Sequence, residues 1–283
     1  MLTILESIEL SEQFLEKKGV DAPRMNAEIL LADILKCKRM ELYLKFDQPL
    51  SEVEKQRYRE FIRRRGEREP LQYIIGKVEF YGLEFKVSPN VLIPRPETEI
   101  LVEQVLSEAK SKDNPSILEI GTGSGNIAIS LFMNLENASI HSIDISGSAI
   151  KTAMENAEML NMNGSLIFKN VSFENYIAGK EKFDFVVSNP PYVSVEDYDD
   201  LEPELLDFEP KIALTDEGDG FTFYKSISSR AHELLKPGGK IFFEIGFGQS
   251  SNIQRIMKEN NIKNIKVTKD YQNIDRVISG EIE

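Results

Sequence analysis

Two hydrophobic periodicities divide the chain. Up to about residue 75, apolar positions recur three and four apart, as at Ile4, Ile8, Leu10, Phe14 and Leu15 and again at Ile29, Leu30, Leu31, Ile34 and Leu35. That spacing lines one face of a helix. Asp21 and Pro23 suit a helix start, and Ser51 with Glu54 forms a capping-box pattern ahead of a further helix running through Phe61. That helix ends in Arg63-Arg64-Arg65 before Gly66. The run reads first as a solvated helix end whose cations suit the dipole, and alternatively as a patch for an acidic partner. Beyond it the period drops to two. Lys77 to Val87 alternates around Gly82, which predicts a hairpin, and the Pro-rich segment Pro89 to Pro96 excludes regular structure.

From there strands and helices alternate. Ser116 to Ile120 leads into a glycine-rich turn and a helix, and Ser139 to Ile143 leads to Asp144 and another helix. Phe183 to Ser188 runs into Asn189-Pro190-Pro191-Tyr192, and Lys240 to Ile245 follows a Pro237-Gly238-Gly239 turn. This alternation predicts an α/β domain with a parallel sheet and helices on both faces. The expected organisation is a helical domain over 1–75, a hairpin and Pro-rich linker over 76–96, and an α/β domain over 97–283.

Length and composition fit two globular domains. The chain has 283 residues, 41% hydrophobic and 29% charged. No stretch nears the roughly 20 apolar residues of a membrane span. The first apolar run carries Glu6 and Glu9, so it reads as an amphipathic helix rather than a signal peptide. The single cysteine, Cys37, excludes an intrachain disulfide and fits a reducing cytoplasm. His141 and His232 have no Cys or carboxylate at ligand spacing, so no metal site is expected. A net charge of −13 is the opposite of a general nucleic-acid binder and suits steering toward a basic protein.

The candidate chemistry lies at two strand ends. Gly121-Thr122-Gly123-Ser124-Gly125 follows one strand and opens a helix, where an open α/β sheet binds ligands. Asp144, about twenty residues on, stands where a nucleotide site places the acid that holds ribose hydroxyls. The G-x-G-x-G spacing departs from the G-x-G-x-x-G of dinucleotide sites, since Asn126 takes the last position. Glu119, just before the loop, suits a sulfonium cation better than a pyrophosphate. These features favour S-adenosylmethionine.

Asn189-Pro190-Pro191-Tyr192 is the more specific signal. The asparagine side chain and the Pro190 carbonyl offer two acceptors that can hold one NH2 group by both hydrogens and turn its nitrogen toward a methyl donor. The prolines stiffen the loop, and Tyr192 offers a flat face for a planar amide or a base. An amide lone pair is delocalised; drawing on both N–H bonds localises it without a strong general base.

With these residues assembled, the sequence resembles the HemK/PrmC family of release-factor glutamine methyltransferases along nearly its whole length. The resemblance runs through Glu69 to Gly76, Val91 to Glu99, Gly121 to Gly125, Asp144 to Ser146, Ser188 to Tyr192, Glu209-Pro210 with Ala213-Leu214, Asp219-Gly220, and Glu244 to Gly246 with Gln249. Asn-Pro-Pro-Tyr alone is shared with DNA adenine and cytosine methyltransferases. A paralogous family that methylates a ribosomal-protein glutamine usually has Arg-Ser-Pro where this chain has Arg95-Pro96-Glu97. The resemblance implies a seven-stranded Rossmann-like S-adenosylmethionine-dependent methyltransferase domain behind an N-terminal helical bundle and a linking hairpin. It implies a glutamine substrate in the Gly-Gly-Gln motif of class 1 peptide chain release factors, S-adenosylhomocysteine as second product, and a monomer that binds neither membrane nor nucleic acid. By the same analogy Gly121, Thr122, Gly123, Ser124 and Gly125 line the cofactor, Asp144 binds its ribose, Phe173 borders its adenine, and Asn189 contacts the cofactor as well as the target. Asn189, Pro190, Pro191 and Tyr192 hold the target, and Arg95 and Thr98 lie beside the cofactor pocket. Three other readings stand against this one. A nucleic-acid amino methyltransferase, acting on adenine N6 or cytosine N4, needs phosphate contacts that the charge disfavours. A non-catalytic translation factor has no use for Asn189 and Asp144. A dinucleotide oxidoreductase does not fit the glycine spacing.

Overall fold

A computed structural model of the chain describes residues 2–162, 164–179 and 181–283. Five helices, α1 (Ile4–Lys17), α2 (Pro23–Leu35), α3 (Arg39–Leu42), α4 (Glu52–Gly66) and α5 (Leu71–Ile75), precede a hairpin of β1 (Lys77–Phe80) and β2 (Leu83–Lys86). Then come α6 (Thr98–Ala109), β3 (Ser116–Ile120), α7 (Asn126–Asn134), β4 (Ser139–Asp144), α8 (Gly147–Met159), β5 (Leu166–Asn170) and β6 (Phe183–Ser188). Three short helices follow, α9 (Val195–Tyr198), α10 (Pro203–Phe208) and α11 (Lys211–Leu214). The last elements are α12 (Thr222–Ser229), α13 (Ala231–Leu234), β7 (Leu235–Glu244), α14 (Ser250–Glu259), β8 (Lys263–Lys269) and β9 (Asp275–Glu281). Contacts divide these into two compact units: the residues up to Lys77 with Glu202–Phe208, and Val78–Leu201 with Glu209–Glu283.

The first unit is a helical bundle around Ile4, Ile8, Leu15, Leu30, Leu31, Tyr58 and Ile62. Capping boxes start two of its helices. Thr3 N–H donates to Glu6 Oε2 at 2.8 Å, and Ser51 N–H donates to Glu54 Oε2 at 2.7 Å; each satisfies a donor the helix leaves free. Pro23 opens α2, but Asp21 is not its cap: Ala22, with positive φ, holds that position without a side-chain bond. Leu10 falls outside the buried face. Phe14 instead lies over Gly66, where a Cβ would come within 2.6 Å of its ring. The basic run is a solvated helix end only at Arg63, which is exposed, and it is not a free patch. Arg63 pairs with Glu60 and Glu67, and Arg64 with Glu69. Arg65 is buried, bonded to Asn26 and to Glu204 of α10, and Arg68 joins Glu202 and Glu204.

The second unit is built on a seven-stranded sheet of order β5-β4-β3-β6-β7-β9-β8. The first five strands are parallel, and β9 runs antiparallel to both its neighbours. β6 is buried along its whole length, as a central parallel strand covered on both faces must be. The chain winds outward from β3 through β4 to β5, then returns to place β6 on the other side of β3. The switch point therefore falls between β3 and β6, where ligands bind. The hairpin packs Phe80 and Phe85 into the core beneath α6 and α7. Tyr81 and Gly82 both take positive φ at its turn, as a tight two-residue hairpin requires. Pro237-Gly238-Gly239, expected as a turn before the strand, lies inside β7. There β7 advances from Leu235 to Lys240 while β6 advances only from Phe183 to Phe185, so the extra residues form a bulge.

Candidate active site

The glycine loop leaves β3 and is held by three anchors. Gly121 N–H and Thr122 N–H both donate to the Ile143 carbonyl of β4. Gly123 N–H donates to Asp144 Oδ2 at 2.9 Å, while Ser146 N–H donates to Asp144 Oδ1 at 2.8 Å. Asn156 of α8, fully buried, donates to the Ser124 carbonyl at 2.9 Å and to the Lys86 carbonyl at 3.1 Å. The loop is thus tied to the hairpin by a side chain that no sequence motif flagged. Gly121, Gly123 and Gly125 all have positive φ. A Cβ at Gly125 would meet the Ala153 and Ile129 side chains at 3.0 Å, so this glycine serves helix packing.

Two cavities open at the switch point. The first, about 110 Å³, is lined by Gly121–Ser124, Asn126, Asp144, Ser146 and Asn189 with Asn90–Leu92, Arg95 and Thr98. The second, about 190 Å³, is lined largely by apolar groups, among them Ile120, Ile143, Ile145, Val171, Phe173, Pro190 and Phe223. Gly121, Asp144, Pro191 and Ile212 border both. The first cavity holds most of the polar side chains, the second is the more apolar, and Asp144 borders both, a pair that fits an amino-acid and ribose portion beside an adenine. Burial pushes the Asp144 carboxyl above its usual range, opposed by the Gly123 and Ser146 N–H groups. Each of its oxygens keeps a lone pair beyond the one these donors use, which leaves acceptor capacity for ribose hydroxyls. Arg95, the cation in the first cavity, is bonded to Glu209, whose other oxygen accepts from Ile93 N–H. No free cation among the described lining residues offers itself to a pyrophosphate.

The linings bring together most of the expected residues: Gly121, Thr122, Gly123, Ser124, Asp144, Phe173, Asn189, Pro190 and Pro191. Gly125 and Tyr192 lie outside both. Glu119, expected near a sulfonium, also lies outside. It is fully buried under the loop, where Ser142 donates to its Oε2 and Thr122 Oγ1 bonds Ser142 in turn. Burial, with the nearby Asp144 charge, pushes its carboxyl up to about 8. Sealed away from both cavities and tied through Ser142 to Thr122, Glu119 supports the loop.

The Asn-Pro-Pro-Tyr segment is pinned on both sides. Ser188 Oγ donates to the Ile120 carbonyl at 2.7 Å, joining it to the glycine loop, and Val193 N–H donates to the Leu214 carbonyl at 3.0 Å. Asn189 Nδ2 donates to Thr98 Oγ1 at 3.4 Å, which leaves its Oδ1 as the free acceptor. Behind them lies Glu244, buried and pushed up to about 7 by burial, with Thr98 opposing. Burial, with the Glu244 charge, pushes the Tyr192 hydroxyl up to about 12, so it stays protonated. Gln249, quoted above only as part of a resemblance, bonds the Tyr192 carbonyl.

Comparison with known proteins finds relatives along nearly the whole chain. The family model described as the PrmC N-terminal domain matches residues 6–76, and a methyltransferase domain model matches residues 111–280. A protein of Fusobacterium nucleatum named release factor glutamine methyltransferase is 43% identical over 280 residues, 97% of this chain and 77% of that one. One of the same name from Geobacter sulfurreducens is 39% identical over 99% of this chain and 97% of its own. A methyltransferase structure from Pyrococcus furiosus, 19% identical over 71% of this chain and 90% of that chain, shares the fold with a TM-score of 0.52. Identity of this extent along almost the whole sequence decides the lineage: the chain belongs to the release factor glutamine methyltransferase family.

Proposed function

We propose that this protein transfers a methyl group from S-adenosylmethionine to the side-chain amide nitrogen of the glutamine in the Gly-Gly-Gln motif of class 1 peptide chain release factors. The observation that carries the reading is the position of Asn189 and Pro190 where the polar and apolar cavities meet, with the Asn189 amide N–H turned to Thr98. The names of relatives aligned along nearly the full chain support the substrate and weigh against a nucleic-acid base.

S-adenosylmethionine supplies an electrophilic methyl group and leaves as S-adenosylhomocysteine. Asp144 would hold the ribose, and the backbone of Gly121 to Ser124 would hold the amino-acid portion. Phe173 and the other apolar lining groups enclose the adenine. Asn189 Oδ1 and the Pro190 carbonyl accept the two N–H hydrogens of the target amide and turn its nitrogen toward the methyl group, which is catalysis by positioning. The same two bonds draw density onto the nitrogen; as the N–CH3 bond forms and the S–CH3 bond breaks, the nitrogen becomes strongly acidic and releases one of its two protons to water. Tyr192 stays neutral and takes no proton. The test is peptide mass spectrometry of a purified release factor after incubation with this protein and S-adenosylmethionine. One added methyl on the Gly-Gly-Gln glutamine is expected. No added methyl, with cofactor binding demonstrated, overturns the substrate.

A further inference from the structure

We propose that Gln249 is a positioning residue for methyl transfer: it clamps the Tyr192 carbonyl and so fixes where the Asn189 and Pro190 acceptors stand. The inference rests on the reaction proposed above and adds a residue that does not itself touch the substrate.

The clamp has two arms. Gln249 Nε2 donates to the Tyr192 carbonyl at 2.9 Å, and Gln249 Oε1 accepts from Gly246 N–H at 3.0 Å. These partners leave the amide one orientation, because flipping it would set donor against donor and acceptor against acceptor. Two glycines wall the clamp. A Cβ on Gly220 would lie 2.6 Å from the Tyr192 oxygen and 3.0 Å from Gln249 Nε2; one on Gly246 would lie 2.9 Å from Gln249 Oε1 and 3.0 Å from the Tyr192 ring. Both glycines follow from this close approach.

The geometric consequence runs backward along the chain. Asn189 stands three residues before Tyr192, with two prolines between them whose φ angles are fixed. A stiff segment transmits displacement instead of absorbing it. Ser188 Oγ holds the near end to the Ile120 carbonyl, beside the glycine loop. Gln249 holds the far end to the turn after β7, at the same edge of the sheet. Val193 N–H, bonded to the Leu214 carbonyl, holds the chain just beyond, but Gln249 is the side chain that ties the far end to the β7 turn and so sets the target acceptors against the cofactor cradle across the switch point. A misplacement of about 1 Å is enough to cost on the order of a hundredfold in rate.

Gln249→Glu tests the clamp because it keeps the size and the arm to Gly246 but turns the other arm into an acceptor facing a carbonyl. Wild type and variant are compared in single-turnover methylation of a release factor, together with cofactor affinity by calorimetry, KM for the release factor, and thermal unfolding. The expected result is a transfer rate lower by about tenfold to a hundredfold, with cofactor affinity, KM and the unfolding transition near wild type. A transfer rate within about threefold of wild type overturns the proposal, as does a fall confined to KM or cofactor affinity. If Gln249→Glu fails to fold, Gln249→Met, which removes both arms at similar volume, is judged by the same criteria. Failure of both to fold makes the residue structural and also overturns it. A wild-type protein that methylates no release factor sinks the underlying reaction instead, so the two failures are told apart.

Discussion

At the scale of single residues the site separates two jobs that share one cleft. Asn189 and Asp144 line the same cavity, and the proposed reaction gives the first to the target and the second to the cofactor, so their loss should be felt in different measurements. Asn189→Ala should lower single-turnover methylation by about 10²–10³-fold, the usual cost of removing one fixed hydrogen-bonding group from a reacting centre, with cofactor affinity within about twofold. Asp144→Ala should weaken cofactor binding by about tenfold or more, as the loss of hydrogen bonds to a charged acceptor does. It should also lower the melting temperature, because Gly123 and Ser146 lose their anchor. Near-normal turnover in the first variant, or unchanged cofactor affinity in the second, removes the role assigned here. The position of Asn189 and Asp144 at one cavity was legible because each residue type has few uses at a strand end. Glu119 was misjudged because proximity in sequence to a glycine loop says nothing of which side of it a carboxylate occupies. Asn156 could not be found at all: a lone asparagine in a helix carries no spacing signal.

At the scale of elements, the strongest departure from expectation is the end of α4. A run of arginines after a helix suggests solvent, yet Arg65 is buried and bonded to Glu204 of α10, more than a hundred residues away. Removing one partner of such a pair leaves the other charge without compensation. Glu204→Ala should therefore destabilise the protein by about 3 kcal/mol in urea unfolding. A loss below about 0.5 kcal/mol would put the pair among ordinary surface bridges. The helix start at Glu52 and the hairpin turn were read from the sequence because capping boxes and turns are local; the box of Thr3 and Glu6, equally local, appeared only in the structure. The pairing of α4 with α10 is not local and left no trace in either segment.

At the scale of the whole molecule, two acids are sealed in the core of the second unit, Glu119 pushed up to about 8 and Glu244 up to about 7, both mainly by burial. A carboxyl whose folded pKa is raised keeps its proton in the folded state over a range where the unfolded chain has released it. The stability it contributes is full below the usual carboxylate pKa and is lost as pH rises toward the folded value. Between about pH 5 and 8, Glu119 should thus cost up to about 1.4 kcal/mol of stability per pH unit. Melting curves of Glu119→Gln and wild type should diverge in slope over that window, with the variant flatter. Parallel curves would show that the folded protein ionises this group without penalty.

The sequence by itself determined the class of fold, the two strand-end motifs and the chemistry they imply. Hydrophobic period, turn residues and motif spacing are local quantities, and a parallel sheet brings the ends of neighbouring strands together whatever the details. Tertiary structure alone decided which face of the glycine loop meets solvent, how the Asn-Pro-Pro-Tyr segment is held, and where the arginines of α4 find their charges. Burial and hydrogen bonding between segments distant in sequence depend on the completed packing, and the same glutamate that reads as a ligand for a cation becomes a neutral acid once water is excluded around it.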